Sequence, residues 1–135
     1  MTAALLVSEA VYRRMLQHAR DLMPDEAGGF LGGNGCRVTE LLPLPSVAGR
    51  DRFLAAPRAQ FAAERRLARL GLALVAIYHS HPGGGPHPSA LDNTVAAIWD
   101  VPLLLIGVNR PHGQSDEIRA YQLRPPTMEI PIHVV

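Results

Sequence analysis

His79, His81 and Asp92, with Ser89 just ahead of the aspartate and Glu26 far upstream, are the side chains of this sequence best suited to chemistry. On a β-strand successive side chains alternate faces, so residues two apart project the same way. Both imidazoles can therefore converge on one ion while Ser80 turns aside. Asp92 can supply a third ligand. Three protein ligands with a fourth tetrahedral position left open is the arrangement of a catalytic zinc rather than a structural one. Hydrolysis at such a centre also needs a carboxylate within reach to carry a proton. Glu26, in the run Pro24-Asp25-Glu26-Ala27-Gly28-Gly29, is the candidate. Each feature also has an ordinary reading. Ser89 and Asp92 stand at capping-box spacing, two histidines beside a glycine-rich loop can be plain surface residues, and Glu26 can be a solvated turn acid. Those readings do not account for a strand end, a turning loop and a helix start that bring the donors together.

The elements around these residues are legible. Residues 72–78 form a short apolar run behind Gly71, which reads as a buried strand with the histidines at its end. Pro82-Gly83-Gly84-Gly85-Pro86-His87-Pro88 can continue neither regular structure and must be a loop. Ser89 then reads as the N-cap of a helix running to Trp99, which puts Asp92 in its first turn. Upstream, Ser8 caps a helix whose apolar positions Val11, Tyr12, Met15, Leu16, Ala19, Leu22 and Met23 recur at helical spacing. Residues 28–31 and 38–42 flank Gly32-Gly33-Asn34-Gly35 and predict a hairpin. Residues 43–56 read as a loop, and a helix over 57–70 ends at Gly71. Residues 101–108, 118–123 and 130–135 complete the strands, the last at an edge because it contains Pro131. The expected fold class is α/β: a single-domain mixed sandwich, a curved sheet flanked by about three helices.

Composition narrows the function. A chain of 135 residues, 47% hydrophobic, can build one substantial core. Its longest apolar runs are too short to cross a bilayer, and residues 1–7 lack the basic region and length of a signal peptide, so a cytoplasmic protein without a membrane partner is expected. A net charge of +1 gives no long-range reason to bind nucleic acid, and Arg65, Arg66 and Arg69 read as a solvated helix face. All 13 basic residues are arginine, so no side chain here can accept an isopeptide-linked tag. Cys36 is the single cysteine; it can form no internal disulfide, and the paired cysteine ligands of zinc nucleobase deaminases are excluded.

Glu26, then His79-Ser80-His81-Pro82, then Pro88-Ser89-Ala90-Leu91-Asp92, resembles the signature of the JAMM metalloproteases, the catalytically competent branch of the MPN, or Mov34, domain family. The resemblance runs from about Leu5 to about Gln122 and implies one JAMM/MPN domain over residues 1–135, with a cytidine-deaminase-like fold. It implies Zn2+ held by His79, His81 and Asp92, Glu26 as general base and acid, and Ser89 as oxyanion donor. It further implies hydrolysis of a peptide or isopeptide bond after the C-terminal Gly-Gly of a ubiquitin-like protein, in compact bacterial members a small sulfur carrier. One departure is visible: many bacterial members carry cysteine where this chain has Gly28.

Two other function classes stay open on the residues alone. One is a non-catalytic MPN-type interaction module. The other is a non-haem iron oxygenase, since two histidines and a carboxylate also make the iron facial triad. A homodimer is among the assemblies the sequence allows.

Overall fold

The computed structural model describes residues 4–46, 55–89 and 100–135. The chain opens with β1 (Leu5–Val7), a short strand that the apolar periodicity did not single out, and enters α1 (Glu9–Asp21). Ser8 is the N-cap, its hydroxyl accepting the Val11 amide hydrogen at 3.2 Å. Val11, Met15 and Ala19, at four-residue spacing, are the buried stripe of this helix, whereas Leu22 and Met23 lie beyond its end and are exposed.

The hairpin forms as expected from β2 (Gly28–Asn34) and β3 (Arg37–Pro43), joined at Gly35-Cys36. α2 (Pro57–Arg69) is followed by Leu70 as C-cap and by Gly71 at φ 70°, the left-handed conformation in which a Cβ is costly. β4 (Ala73–Pro82) is longer than the apolar run predicts: it continues through both histidines, which therefore lie within the strand. β5 (Leu103–Val108) and β6 (Glu117–Gln122) follow. The helix expected from Ser89 onward, with Asp92 in it, falls outside the described residues, as does most of the 43–56 loop.

The C-terminal segment departs from the single edge strand predicted for residues 130–135. Pro131 divides it into β7 (Met128–Ile130), antiparallel to β6, and β8 (Ile132–Val134), parallel to β1. Proline has no amide hydrogen to continue a ladder, and its carbonyl instead accepts from Leu5 N–H at 2.9 Å. The sheet order is β7-β6-β5-β4-β2-β3-β1-β8, so consecutive short strands occupy opposite edges. One residue separates them, and the sheet must curl until its edges lie side by side.

That curl produces two cores. One takes Val7, Leu31, Val38, Ala76, Tyr78, Leu104, Ile106, Ala120 and Ile130 from the strands and Val11, Met15 and Ala19 from α1. The other lies on the opposite face and takes Phe30, Leu42, Ile77, Leu103, Leu105 and Tyr121 with Ala63 and Leu67 of α2. Each fully buried large aliphatic side chain contributes about 1.5–3 kcal/mol relative to exposure. Among the described residues no helix is long and apolar enough to cross a membrane.

Candidate metal centre

β4 is a central strand, antiparallel to β2 on one side and parallel to β5 on the other. Its register sets Ile77, His79 and His81 opposite Leu103, Leu105 and Gly107 of β5, so the two histidines share the face of the second core. Ser80 and Tyr78 point to the other face, where both are almost fully buried. The imidazole rings lie 5.0 Å apart between centroids.

Glu26 reaches the same place through pairing between strands. Gly28 stands opposite His79, and the next pair is fastened twice: Ser80 N–H donates to the Ala27 carbonyl at 2.9 Å and Ala27 N–H donates to Ser80 Oγ at 2.8 Å. Continuing that register, Glu26 falls across from His81 and diagonal to His79. Its Oε1 is 3.3 Å from His79 Nδ1, and the two side chains are only 11% and 14% exposed. One donor atom from each of Glu26, His79 and His81 lies within 4.8 Å of the others.

His81 is oriented by the loop that follows it. Its Nδ1 is 3.0 Å from the Gly85 carbonyl oxygen. A carbonyl can only accept, so Nδ1 carries a hydrogen, and in the neutral ring Nε2 keeps its lone pair. A metal-ligating histidine is commonly held this way, its second ring nitrogen donating to a carbonyl or carboxylate. Two imidazoles that converge on one side of a strand, with a shielded carboxylate beside them, are the residue types of a zinc centre. The residues present therefore fit such an ion.

Of the residues singled out by sequence, the structure brings together Glu26, His79 and His81. Ser89 is exposed at the end of the glycine-rich loop, and Asp92 lies outside the described residues. His87 is exposed, and His112 occupies a turn with φ 59°. Two contributors were missed from sequence. Ser80, read only as turning aside, fastens the backbone next to Glu26, and the Gly85 carbonyl orients His81. A backbone carbonyl carries no residue-type signal. Ser80, flanked by two histidines on a buried strand, could have been flagged as a hydroxyl in need of a partner.

Behind the site, the Tyr78 hydroxyl lies 2.8 Å from His18 Nδ1. Burial pushes the Tyr78 phenol strongly upward, so it keeps its proton beside the imidazole. Burial lowers the His18 pKa, Arg14 lowers it further, and Asp21 opposes both.

Residues 8–124 match the family model of prokaryotic homologues of the JAB domain. The chain is 35% identical over 121 residues to a probable TtuB-protein conjugate cleaving protease of Thermus thermophilus, covering 88% of this chain and 76% of that one. It is 28% identical over 135 residues to a CysO-cysteine peptidase of Mycobacterium tuberculosis, covering 97% and 91% of the two chains. A solved structure of a protein from Desulfitobacterium hafniense matches with a TM-score of 0.86 at 27% identity, over 97% of this chain and 92% of that one.

Proposed function

Because the chain belongs to the JAB, or JAMM/MPN, family in its prokaryotic branch, we propose that it is a zinc-dependent peptidase hydrolysing the peptide or isopeptide bond after the C-terminal Gly-Gly of a ubiquitin-like sulfur-carrier protein. The observation that carries this reading is the convergence of Glu26, His79 and His81 on one face of β4 and the lead into β2. The two relatives, a conjugate cleaving protease and a CysO-cysteine peptidase, support the hydrolase class and the kind of substrate. Residues 1–135 are read as one domain working in the cytoplasm, with no nucleic acid or membrane partner and with a homodimer allowed.

His79, His81 and Asp92 would hold the ion. When bound, zinc supplies a Lewis acid and lowers the pKa of water to about 7. Glu26 takes a proton from the attacking water and delivers it to the departing amine, a role that requires a carboxylate shielded from bulk solvent yet within reach of the reacting atoms. The Ser89 hydroxyl donates to the scissile carbonyl oxygen as that oxygen gains charge. The Gly85 carbonyl keeps the His81 ring in one tautomer.

The test is direct. Carrier proteins with a short extension beyond their terminal Gly-Gly are incubated with the zinc-loaded protein and followed by mass spectrometry. Loss of the extension is expected. Glu26→Gln should keep its zinc while turnover falls by about 10²–10⁴-fold. Undiminished turnover in that variant would refute the role of Glu26. Metal analysis of the purified protein separates the alternatives: no bound metal favours an interaction module, and native iron with oxygen-dependent turnover favours an oxygenase.

A further inference from the structure

We infer that Gly107 and Tyr121 are positioning residues for His81, acting together to hold the 83–87 loop against β5 so that the Gly85 carbonyl fixes the imidazole. The inference rests on His81 being a metal ligand, as proposed above, and adds the residues on which its orientation depends.

Gly107 is the β5 residue paired with His81, on the same face. A Cβ built there would lie 2.8 Å from Gly84 O, 3.1 Å from Pro86 Cδ and 3.2 Å from Pro86 N. Any side chain at this position pushes the loop off the strand, and two of the three atoms it meets are backbone. The close approach is therefore a property of glycine at 107. Tyr121 fastens the far side of the same loop. Its hydroxyl donates to the Pro86 carbonyl at 2.7 Å in a buried hydrogen bond, and Pro86 itself is fully buried. Gly83 N–H donates to Val108 O at 2.7 Å and Gly84 N–H to His81 O at 3.0 Å, which ties the loop's first half to the ends of β5 and β4. Between these anchors sits Gly85, whose carbonyl accepts from both His87 N–H at 2.9 Å and His81 Nδ1 at 3.0 Å. A carbonyl engaged twice and clamped on both flanks has little freedom to turn. Gly107 has no side chain to offer an ion and the Tyr121 hydroxyl is engaged with the Pro86 carbonyl, so both act on an ion held by His81 through the loop.

The experiment measures metal binding apart from turnover. Tyr121→Phe keeps the ring in the core and removes the hydroxyl; Gly107→Ala adds the obstructing Cβ. Zinc affinity is measured by competition with a chromophoric chelator, and the visible absorption of the Co2+-loaded proteins reports ligand geometry. Loss of a group that orients a ligand typically weakens metal binding about 10–100-fold. Tyr121→Phe is expected near the lower figure and Gly107→Ala near the upper, each with an altered Co2+ spectrum. Ile118→Val, which loosens the opposite core, should leave affinity and spectrum unchanged. If Gly107→Ala does not fold, Tyr121→Phe decides alone. A folded Tyr121→Phe with wild-type zinc affinity and Co2+ spectrum overturns this inference and leaves the peptidase reading standing. A wild-type chain that binds neither ion overturns both.

Discussion

Ser80 and Ala27 are joined by two hydrogen bonds, the Ala27 amide donating to Ser80 Oγ at 2.8 Å and the Ser80 amide donating to the Ala27 carbonyl at 2.9 Å. One is an ordinary link between neighbouring strands; the other is made by a fully buried side chain. Together they fasten the backbone of the residue after Glu26 to the residue between the two histidines. The position of the carboxylate is thus set from β4, the same strand that carries both imidazoles.

Ser80→Ala leaves the buried Ala27 amide without its acceptor, which costs about 1–3 kcal/mol of stability. It also loosens Glu26 without touching a ligand. With Glu26 as the proposed proton carrier, turnover is expected to drop about 10–100-fold with zinc affinity held, since small misplacements of such a group are costly. Urea denaturation together with steady-state kinetics checks both. Wild-type turnover in a folded Ser80→Ala protein would mean that Glu26 does not depend on this fastening.

Ser89 separates an oxyanion donor from a helix cap. As an oxyanion donor, Ser89→Ala should lower turnover about 10²–10³-fold with zinc affinity and stability little changed. A cap alone would lose about 1 kcal/mol of stability and keep its turnover. Thermal denaturation and kinetics on the one variant distinguish these outcomes.

His18 makes stability depend on pH. Burial is the leading cause that lowers its pKa in the folded protein below the ordinary value near 6.5. Between those two values the unfolded chain binds more protons than the folded one, so stability rises with pH across that window. The contribution is complete above about 6.5 and is lost as pH falls through the folded pKa. His18→Gln cannot titrate, so the fall in Tm on going from neutral to mildly acidic pH should be smaller in this variant than in wild type. An identical fall in both proteins would rule the imidazole out as a source.

Gly71 tests the end of α2. Its φ is 70° and no atom lies within 4 Å of a Cβ built on it, so the cost of alanine is backbone strain without any clash. Gly71→Ala should destabilise by about 1–2 kcal/mol. Gly71→Asn should cost less, because asparagine tolerates the left-handed region. Equal midpoints in chemical denaturation for all three proteins would contradict this.

What could be read without coordinates was local. Alternation along a strand put His79 and His81 on one side of it; Ser8, helical spacing and Gly71 marked the ends of α1 and α2; and the glycine-rich stretch 32–35 announced the hairpin. These features depend on interactions within a few residues, and residue type reports them. The need for a proton carrier singled out Glu26, and the family resemblance gave Ser89 its expected role. Tertiary structure decided what depends on partners distant in the chain. It set the register that pairs Gly28 with His79 and so carries Glu26 to within 3.3 Å of an imidazole, and it turned the Gly85 carbonyl onto His81. It also divided the last segment at Pro131 between the two edges of the sheet and paired β1 with β3 and β8, a strand of three residues that no periodicity could announce. The physical reason is common to all of these. Strand pairing is made by backbone groups that every residue carries alike, so its register is chosen by the packing of both cores together and not by the residue types of any one segment.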